Sequence, residues 1–211
     1  MPVIDTLIFD LGNVLINFNH HRAAQRIAPF AKKHPDEIYR LFFDSVITRE
    51  FEEGKILPEE FFSAVKGVLG SSISFEEFLP IWNEIFFLTP ENEQVLALVR
   101  ALKPHYKIAL LSNINVLHYQ YLKKNFPIFD PFHAIFTSFE LGYVKPATQA
   151  YQKVLTAMGS APAGTFYTDD RAELIESSLR LGIRGFVFKG AAQLKEDLIS
   201  AGVMVSSVES A

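Results

Sequence analysis

The sequence predicts an α/β fold, a doubly wound parallel sheet with an α-helical cap inserted after its first strand. Three observations carry this expectation. Five short apolar runs punctuate the chain. Amphipathic helical patterns separate most of them. One connection, from Asp10 to Lys107, is far longer than a single crossover needs and is itself helical in pattern.

The runs come first. Thr6-Leu7-Ile8-Phe9 ends at Asp10, and Lys107 to Leu111 ends at Ser112-Asn113. Ala134-Ile135-Phe136 ends at Thr137-Ser138, and Thr165 to Thr168 ends at Asp169-Asp170. The fifth, Phe186-Val187-Phe188, ends at Lys189-Gly190. Runs this short and this apolar read as buried strands.

The helices follow from spacing and caps. Val95, Leu98, Val99 and Leu102 repeat at i, i+3, i+4, i+7, with Thr89 as cap and Pro90 at the first helical position. Tyr151, Val154, Leu155 and Met158 repeat the pattern, closed by Gly159. Ala172 to Leu181, closed by Gly182, is a third. Strands alternating with helices imply a parallel sheet wound on both faces. Binding sites in such folds gather at the carboxyl ends of the strands. The polar residues above fall there.

The long connection is predicted to be a helical insertion over residues 18–88, leaving 1–17 and 89–211 as the core. Pro35-Asp36-Glu37 opens one helix, with Ile38, Leu41 and Phe42 on a face. Pro58-Glu59-Glu60 opens another, with Phe61, Phe62, Val65 and Leu69, closed by Gly70. Ser74-Phe75-Glu76-Glu77 fits a capping box. Phe78, Ile81, Trp82 and Ile85 continue the spacing, with Pro80 expected to kink or restart the helix. The Phe-rich character of the insertion could be read as a substrate pocket, but reads first as helix-packing core.

Composition narrows the function. A chain of 211 residues suits one domain carrying an insertion, and 20 Phe provide for a large core. The formal charge is −4 with scattered Lys and Arg, so the basic stripe of a nucleic-acid binder is missing. Without Cys there are no disulfides, thiolate nucleophiles or Cys-ligated zinc. The start Met1-Pro2-Val3-Ile4-Asp5 does not read as a signal peptide, and no apolar stretch approaches the ~20 residues of a membrane span. A cytoplasmic protein is the expectation.

Each polar strand end has a functional and a structural reading. Asp10, at the mouth of a buried strand, is a candidate nucleophile or metal ligand, or else a cap on the next turn. Ser112-Asn113 offers a hydroxyl and backbone N–H groups before a helix, an anion site or a simple N-cap. Lys145, before Pro146, is expected at a helix N-terminus, where the dipole disfavours a cation unless an anion is near, or else is an ordinary surface lysine. Asp169-Asp170 would repel each other unless a cation offsets them, and such hard oxygen ligands suit Mg²⁺. The other reading of that pair is a solvated acidic turn.

Together these segments resemble the four ordered motifs of the haloacid dehalogenase-like superfamily. They are Phe9-Asp10-Leu11-Gly12-Asn13-Val14-Leu15, Leu111-Ser112-Asn113, Gly142-Tyr143-Val144-Lys145-Pro146 and Tyr167-Thr168-Asp169-Asp170. The insertion after the first motif resembles the helical cap of one subgroup. The Asp-Leu-Gly-Asn-Val motif is similar to a branch of sugar-phosphate phosphatases, including those acting on glucose 1-phosphate. The resemblance implies a Rossmann-like core and Mg²⁺-dependent hydrolysis of a small phosphorylated metabolite. It implies Asp10 as nucleophile, with Ser112 and Lys145 holding the transferring oxygens. Asp10, the Gly12 carbonyl and Asp170 would hold Mg²⁺, with Asp169 behind them. Gly12, Asn13 and Asn113 would line the substrate. Two rivals remain: a metal-free 2-haloacid dehalogenase, and a catalytically degenerate binding protein of the same fold.

Two positions depart from the pattern. Phosphatases of the superfamily usually carry an Asp two residues after the nucleophile, which protonates the leaving group; here that position is Gly12. An amide does not titrate near neutrality, so Asn13 is no substitute. A missing general acid typically costs ~10²–10⁴-fold, so rates are expected to follow leaving-group acidity. Leu174 stands where relatives often carry Asn or Asp. His20 and His21 are candidate proton donors, and Arg49 is a candidate facing the site from a cap loop, although solvent exposure is the simpler reading of all three.

Overall fold

The computed structural model describes residues 3–43 and 45–205. Its strands are β1 (Thr6–Phe9), β2 (Asn17–Phe18), β3 (Phe86–Phe87), β4 (Lys107–Ser112), β5 (Ala134–Thr137), β6 (Thr165–Asp169) and β7 (Arg184–Val187). Five of them form one parallel sheet in the order β5-β4-β1-β6-β7. The chain builds outward from β1 in one direction, then returns to build outward in the other. Such a reversal opens a crevice at the carboxyl ends of the central strands.

Period-two alternation explains why both faces are covered. Leu7 and Phe9 of β1, Ile108 and Leu110 of β4 and Phe166 of β6 share one apolar cluster. Ile8, Ala109, Leu111 and Tyr167 belong to another on the opposite face. Helices α6 (Pro90–Leu102), α7 (Val116–Asn125) and α11 (Ala191–Ser200) contribute to the first cluster. Helices α9 (Thr148–Met158) and α10 (Ala172–Leu179) contribute to the second. A short α8 (Ser138–Leu141) follows β5. The predicted cap Thr89 and Pro90 open α6, and Gly159 ends α9 in the left-handed region.

The long connection carries α1 (His20–Ile27), α2 (Pro35–Phe43), α3 (Val46–Glu52), α4 (Pro58–Leu69) and α5 (Phe75–Asn83). These helices bury a separate cluster that includes Phe51, Phe61, Phe78 and Trp82. The predicted Phe-rich packing is therefore observed. On α2, Ile38 is buried; the Phe42 side chain lies outside the described residues. The segment enters and leaves through the antiparallel pair β2–β3, with Asn17 opposite Phe87 and Phe18 opposite Phe86.

Several expectations are corrected. Helix α5 runs through Pro80 without restarting. The Glu76 carbonyl that loses its N–H partner belongs to an exposed residue in the first turn, where water can replace the bond. Pro146 does not open a helix: α9 starts at Thr148, and the Lys145–Pro146 bond is cis. Helix α7 is capped by Asn115, not Ser112, which is the last residue of β4. The fifth strand is shifted by two residues to Arg184–Val187, with Phe188 past its end. Arg49 lies on helix α3, not in a loop.

Candidate active site

Strand register brings the first and last motifs together. Phe9 lies opposite Thr168 of β6 and Leu110 of β4, so Asp10 emerges between Asp169 and Leu111. The Asp10 backbone N–H donates to Thr168 O at 3.0 Å. Asp10 and Asp169 are both buried.

Lys145 reaches this point from the segment before α9. Its ammonium donates to Asp10 Oδ1 at 2.5 Å, Asp169 Oδ2 at 2.6 Å and Leu111 O at 3.0 Å. All three hydrogens therefore have acceptors, and Lys145 is only 3% exposed. Burial alone would lower its pKa, but Asp10 and Asp169 outweigh burial and hold it charged. The backbone of Lys145 is clamped as well. Its N–H donates to Asn113 Oδ1 at 2.7 Å, and Asn113 Nδ2 donates to Lys145 O at 2.9 Å. The Asn113 amide is thus turned toward the backbone of Lys145.

The acidic pair divides its work. Asp169 Oδ2 accepts from Lys145 and from the Tyr167 hydroxyl, while Oδ1 accepts from the Arg171 backbone N–H at 3.0 Å. Burial pushes Asp169 up, but Lys145 and these hydrogen bonds hold it below the usual carboxylate range. Asp170 turns the other way, and its Oδ2 accepts from Asn13 Nδ2 at 2.8 Å. Asn13 adopts a left-handed backbone, φ 56°, which Asn tolerates better than most residues.

Oxygens of Asp10, Asp169 and Asp170 lie within 4.8 Å of one another. Lys145 faces three carboxylates, and Arg171 adds only a weaker pull on Asp170. Burial pushes Asp10 up to about 7 against the pull of Lys145, with Asp169 adding to the rise. Burial raises Asp170 too. A buried acidic cluster short of positive charge, with hard oxygen donors, fits a divalent cation such as Mg²⁺. Because Asp169 is already engaged at both oxygens, Asp10 and Asp170 are the carboxylates best placed to hold it.

A cavity of about 330 Å³ opens over the cluster. Ser112, Lys145 and the three aspartates line its sheet side. Phe18, His20, Tyr39, Thr48 and Glu52 line it from the helical connection. Leu174 also borders it, contributing an apolar surface. His20 is pushed down to about 3, chiefly by burial, with His118 and His21 adding to the effect. It is therefore a neutral ring near pH 7 and no cationic acid. His21 is exposed and stacks on Tyr39, with centroids 4.1 Å apart, but does not itself line the cavity. Arg49 is exposed and faces Glu53 at 3.5 Å.

Gly12 has a physical reason to lack a side chain. A Cβ there would sit 2.7 Å from Phe18 Cε1. The Phe18 ring packs on His20, centroids 4.6 Å apart, and edge-on to Phe86.

Sequence reasoning singled out Asp10, Ser112, Lys145, Asp169 and Asp170, and the structure brings all five to one cavity. It missed Tyr39, Thr48 and Glu52. The available signal was the i, i+4 spacing of Thr48 and Glu52, which places them on one helical face. Nothing local says that this face looks onto the sheet.

The chain belongs to the haloacid dehalogenase-like hydrolases, whose family model matches residues 4–180. Among its relatives is a D-ribitol-5-phosphate phosphatase of Bacteroides thetaiotaomicron, 24% identical over 202 residues, 93% of this chain and 97% of the relative. A sesquiterpene phosphatase of Aspergillus oryzae is 26% identical, covering 84% of this chain and 86% of its own. The fold matches a solved HAD family enzyme, bt-2542 of Bacteroides thetaiotaomicron, in complex with magnesium and inorganic phosphate. Its TM-score is 0.78 with 28% identity, over 88% of this chain and 94% of that one.

Proposed function

We propose that the protein is a Mg²⁺-dependent phosphatase that hydrolyses a small phosphate monoester through an aspartyl-phosphate on Asp10. The observation that carries this reading is the placement of Asp10. It emerges at the centre of the sheet, 2.5 Å from a fully engaged Lys145 and within one acidic cluster with Asp170. The relatives named as phosphatases, and the magnesium and phosphate bound to bt-2542, support it.

The residues divide the reaction as follows. Asp10 attacks phosphorus as the bond to the leaving oxygen breaks, and water later attacks the aspartyl-phosphate to release phosphate. Lys145 keeps Asp10 oriented and offsets the charge that builds in the acidic site. Ser112, at the end of β4, faces the cavity and would donate its hydroxyl to a transferring oxygen. Asn113 fixes the Lys145 backbone. Asp10, Asp170 and the Gly12 carbonyl would hold Mg²⁺, which when bound stabilises negative charge on the phosphoryl oxygens. Most of the acceleration then comes from positioning and charge stabilisation.

The helical connection, residues 18–88, acts in this reading as a cap over the core of residues 1–17 and 89–211. Its wall of the cavity presents Tyr39, Thr48 and Glu52. Polar groups of this kind suit a hydroxylated leaving group, so the substrate class is a phosphate ester of a small polyhydroxylated alcohol or sugar. The cavity volume lies at the lower end of small-molecule pockets, in keeping with such a metabolite.

The test is phosphate release from a panel of sugar, alditol and aryl phosphates, with Mg²⁺ and with EDTA. Release should require Mg²⁺ and disappear in Asp10→Asn, which is nearly isosteric. Sustained release by that variant, with deamidation excluded, would overturn the mechanism. Chloride release from a 2-haloacid in EDTA would establish a dehalogenase instead.

A further inference from the structure

We infer that Glu52, carried by the helical connection, is the general acid and base that position 12 lacks. The inference rests on the phosphatase reading and adds a residue to it. Glu52 is the last residue of α3 and shares one cavity with Asp10 and Gly12. Asp10 attacks from the sheet side. In-line displacement sends the leaving oxygen away from Asp10 and toward the opposite wall. Glu52 lines the cavity from the helical connection and not from the sheet, one helical turn beyond Thr48.

The end of α3 is held in place by an unusual contact. Gly54 has φ +67°, and a Cβ there would lie 2.3 Å from the Phe139 carbonyl oxygen of α8. Only glycine permits both that conformation and that approach. The contact docks the turn after Glu52 directly on the sheet-bearing core. Glu53, the next residue, points elsewhere, to Lys55 at 2.7 Å and Arg49 at 3.5 Å. Adjacent carboxylates therefore face different surroundings.

The other carboxylates of the cavity, and His20, have different roles or the wrong charge. Asp10 is the nucleophile, Asp170 is placed for the cation, and Asp169 is held ionised by Lys145, Tyr167 and the Arg171 backbone. His20 stays neutral. Burial pushes the Glu52 carboxyl up to about 7, with Arg171 opposing the rise and Glu53 adding to it. A carboxyl that exchanges its proton near neutrality suits an acid that must later act as a base.

The steps balance. As Asp10 bonds to phosphorus and the ester P–O bond breaks, the Glu52 proton passes to the leaving oxygen, releasing the neutral alcohol. Water then attacks phosphorus and gives a proton to the Glu52 carboxylate as the Asp10–phosphorus bond breaks. Phosphate leaves, and both carboxyl groups return to their starting states.

The test compares phenyl phosphate with 4-nitrophenyl phosphate, esters of similar shape whose leaving groups differ in acidity. The readout is kcat/KM, which covers the steps up to the aspartyl-phosphate. Glu52→Gln should lose about 10²-fold on phenyl phosphate, and only a few-fold on 4-nitrophenyl phosphate, whose anion needs no proton. With the nitrophenyl ester the variant should also show a burst of nitrophenol followed by a slower steady state, because water attack has lost its base. Glu52→Asp, which keeps a carboxyl, should retain most of the wild-type rate on phenyl phosphate, and unchanged melting temperatures verify folding. Equal losses on both esters, or no loss on either, overturn the assignment. The phosphatase reading fails differently: the wild-type protein would then release phosphate from neither ester.

Discussion

The ring of Phe18 occupies the space into which a side chain on Gly12 would project, with its Cε1 2.7 Å from the position of the missing Cβ. The two residues are coupled across the first turn of the site. A carboxyl at position 12 is incompatible with the ring as it stands. Gly12→Asp alone should therefore lower stability by ~1–3 kcal/mol, the usual range for overpacking, and should not raise turnover. Adding Phe18→Ala should recover part of the stability and let the new carboxyl enter the cavity. Thermal melts and phosphate release of the two variants check this. A fully stable, faster Gly12→Asp would show that the ring moves freely.

The two adjacent aspartates should differ in what they hold. Asp170→Ala should weaken Mg²⁺ binding by at least about 10-fold in calorimetry. Asp169→Ala should weaken it less but destabilise the fold by ~3–5 kcal/mol, because Lys145 loses a partner in a buried ion pair. Unchanged Mg²⁺ affinity in Asp170→Ala would refute the ligand assignment.

Asn113 should act through Lys145. Its amide makes two hydrogen bonds to the Lys145 backbone, each worth ~1 kcal/mol. Asn113→Ala should lower kcat by about 10-fold with little change in KM, since a misplaced ammonium no longer aligns Asp10. A loss confined to KM would instead assign Asn113 to substrate binding.

His118, on α7, stacks on Trp82 of the helical connection and should give stability a pH dependence. The Trp82 carbonyl can only accept, so His118 Nε2–H donates to it at 3.0 Å, and Nδ1 accepts from Asn115 Nδ2 at 3.1 Å. Burial pushes the ring down to about 4 from its ordinary 6.5, outweighing the Trp82 bond. A depressed histidine pKa means that the unfolded chain binds the proton more readily. The stabilising contribution is therefore complete above about 6.5 and is lost as pH falls toward 4. It amounts to ~3 kcal/mol at most. Asp10 and Glu52, raised by burial, oppose this trend in the wild-type protein, so the comparison must be differential. The stability gap between wild type and His118→Gln in urea should narrow by about 2 kcal/mol or more between pH 7.5 and 4.5. A constant gap would show that the ring takes up its proton without hindrance.

Much of the site was legible because it lies at strand ends. An apolar run stopping at Asp10, Ser112 or Asp169 announces both the strand and the place where it opens, and parallel register then aligns those ends. The failures were at local backbone detail and across long distances. Pro146 resembles a helix start but precedes the helix by two residues. Pro80 resembles a helix break but sits where its missing hydrogen bond faces solvent. Arg49 drew notice as a cap-loop residue that could face the site, whereas Glu52, three residues later, lines the cavity.

The sequence by itself determined the alternation of strands and helices, the helical insertion, and the placement of Asp10, Ser112, Asp169 and Asp170 at the carboxyl ends of strands. Each depends on a short periodic pattern or a residue beside it, which local physics reads directly. Only the tertiary structure decided which aspartate of the pair serves Lys145 and which faces Asn13, why Gly12 has no room for a carboxyl, and which residues of the helical connection share a cavity with Asp10. Those outcomes depend on packing between segments dozens of residues apart. There, a few tenths of an ångström between Phe18 and Gly12, or Gly54 and Phe139, decide what fits, and no periodicity in the chain encodes such distances.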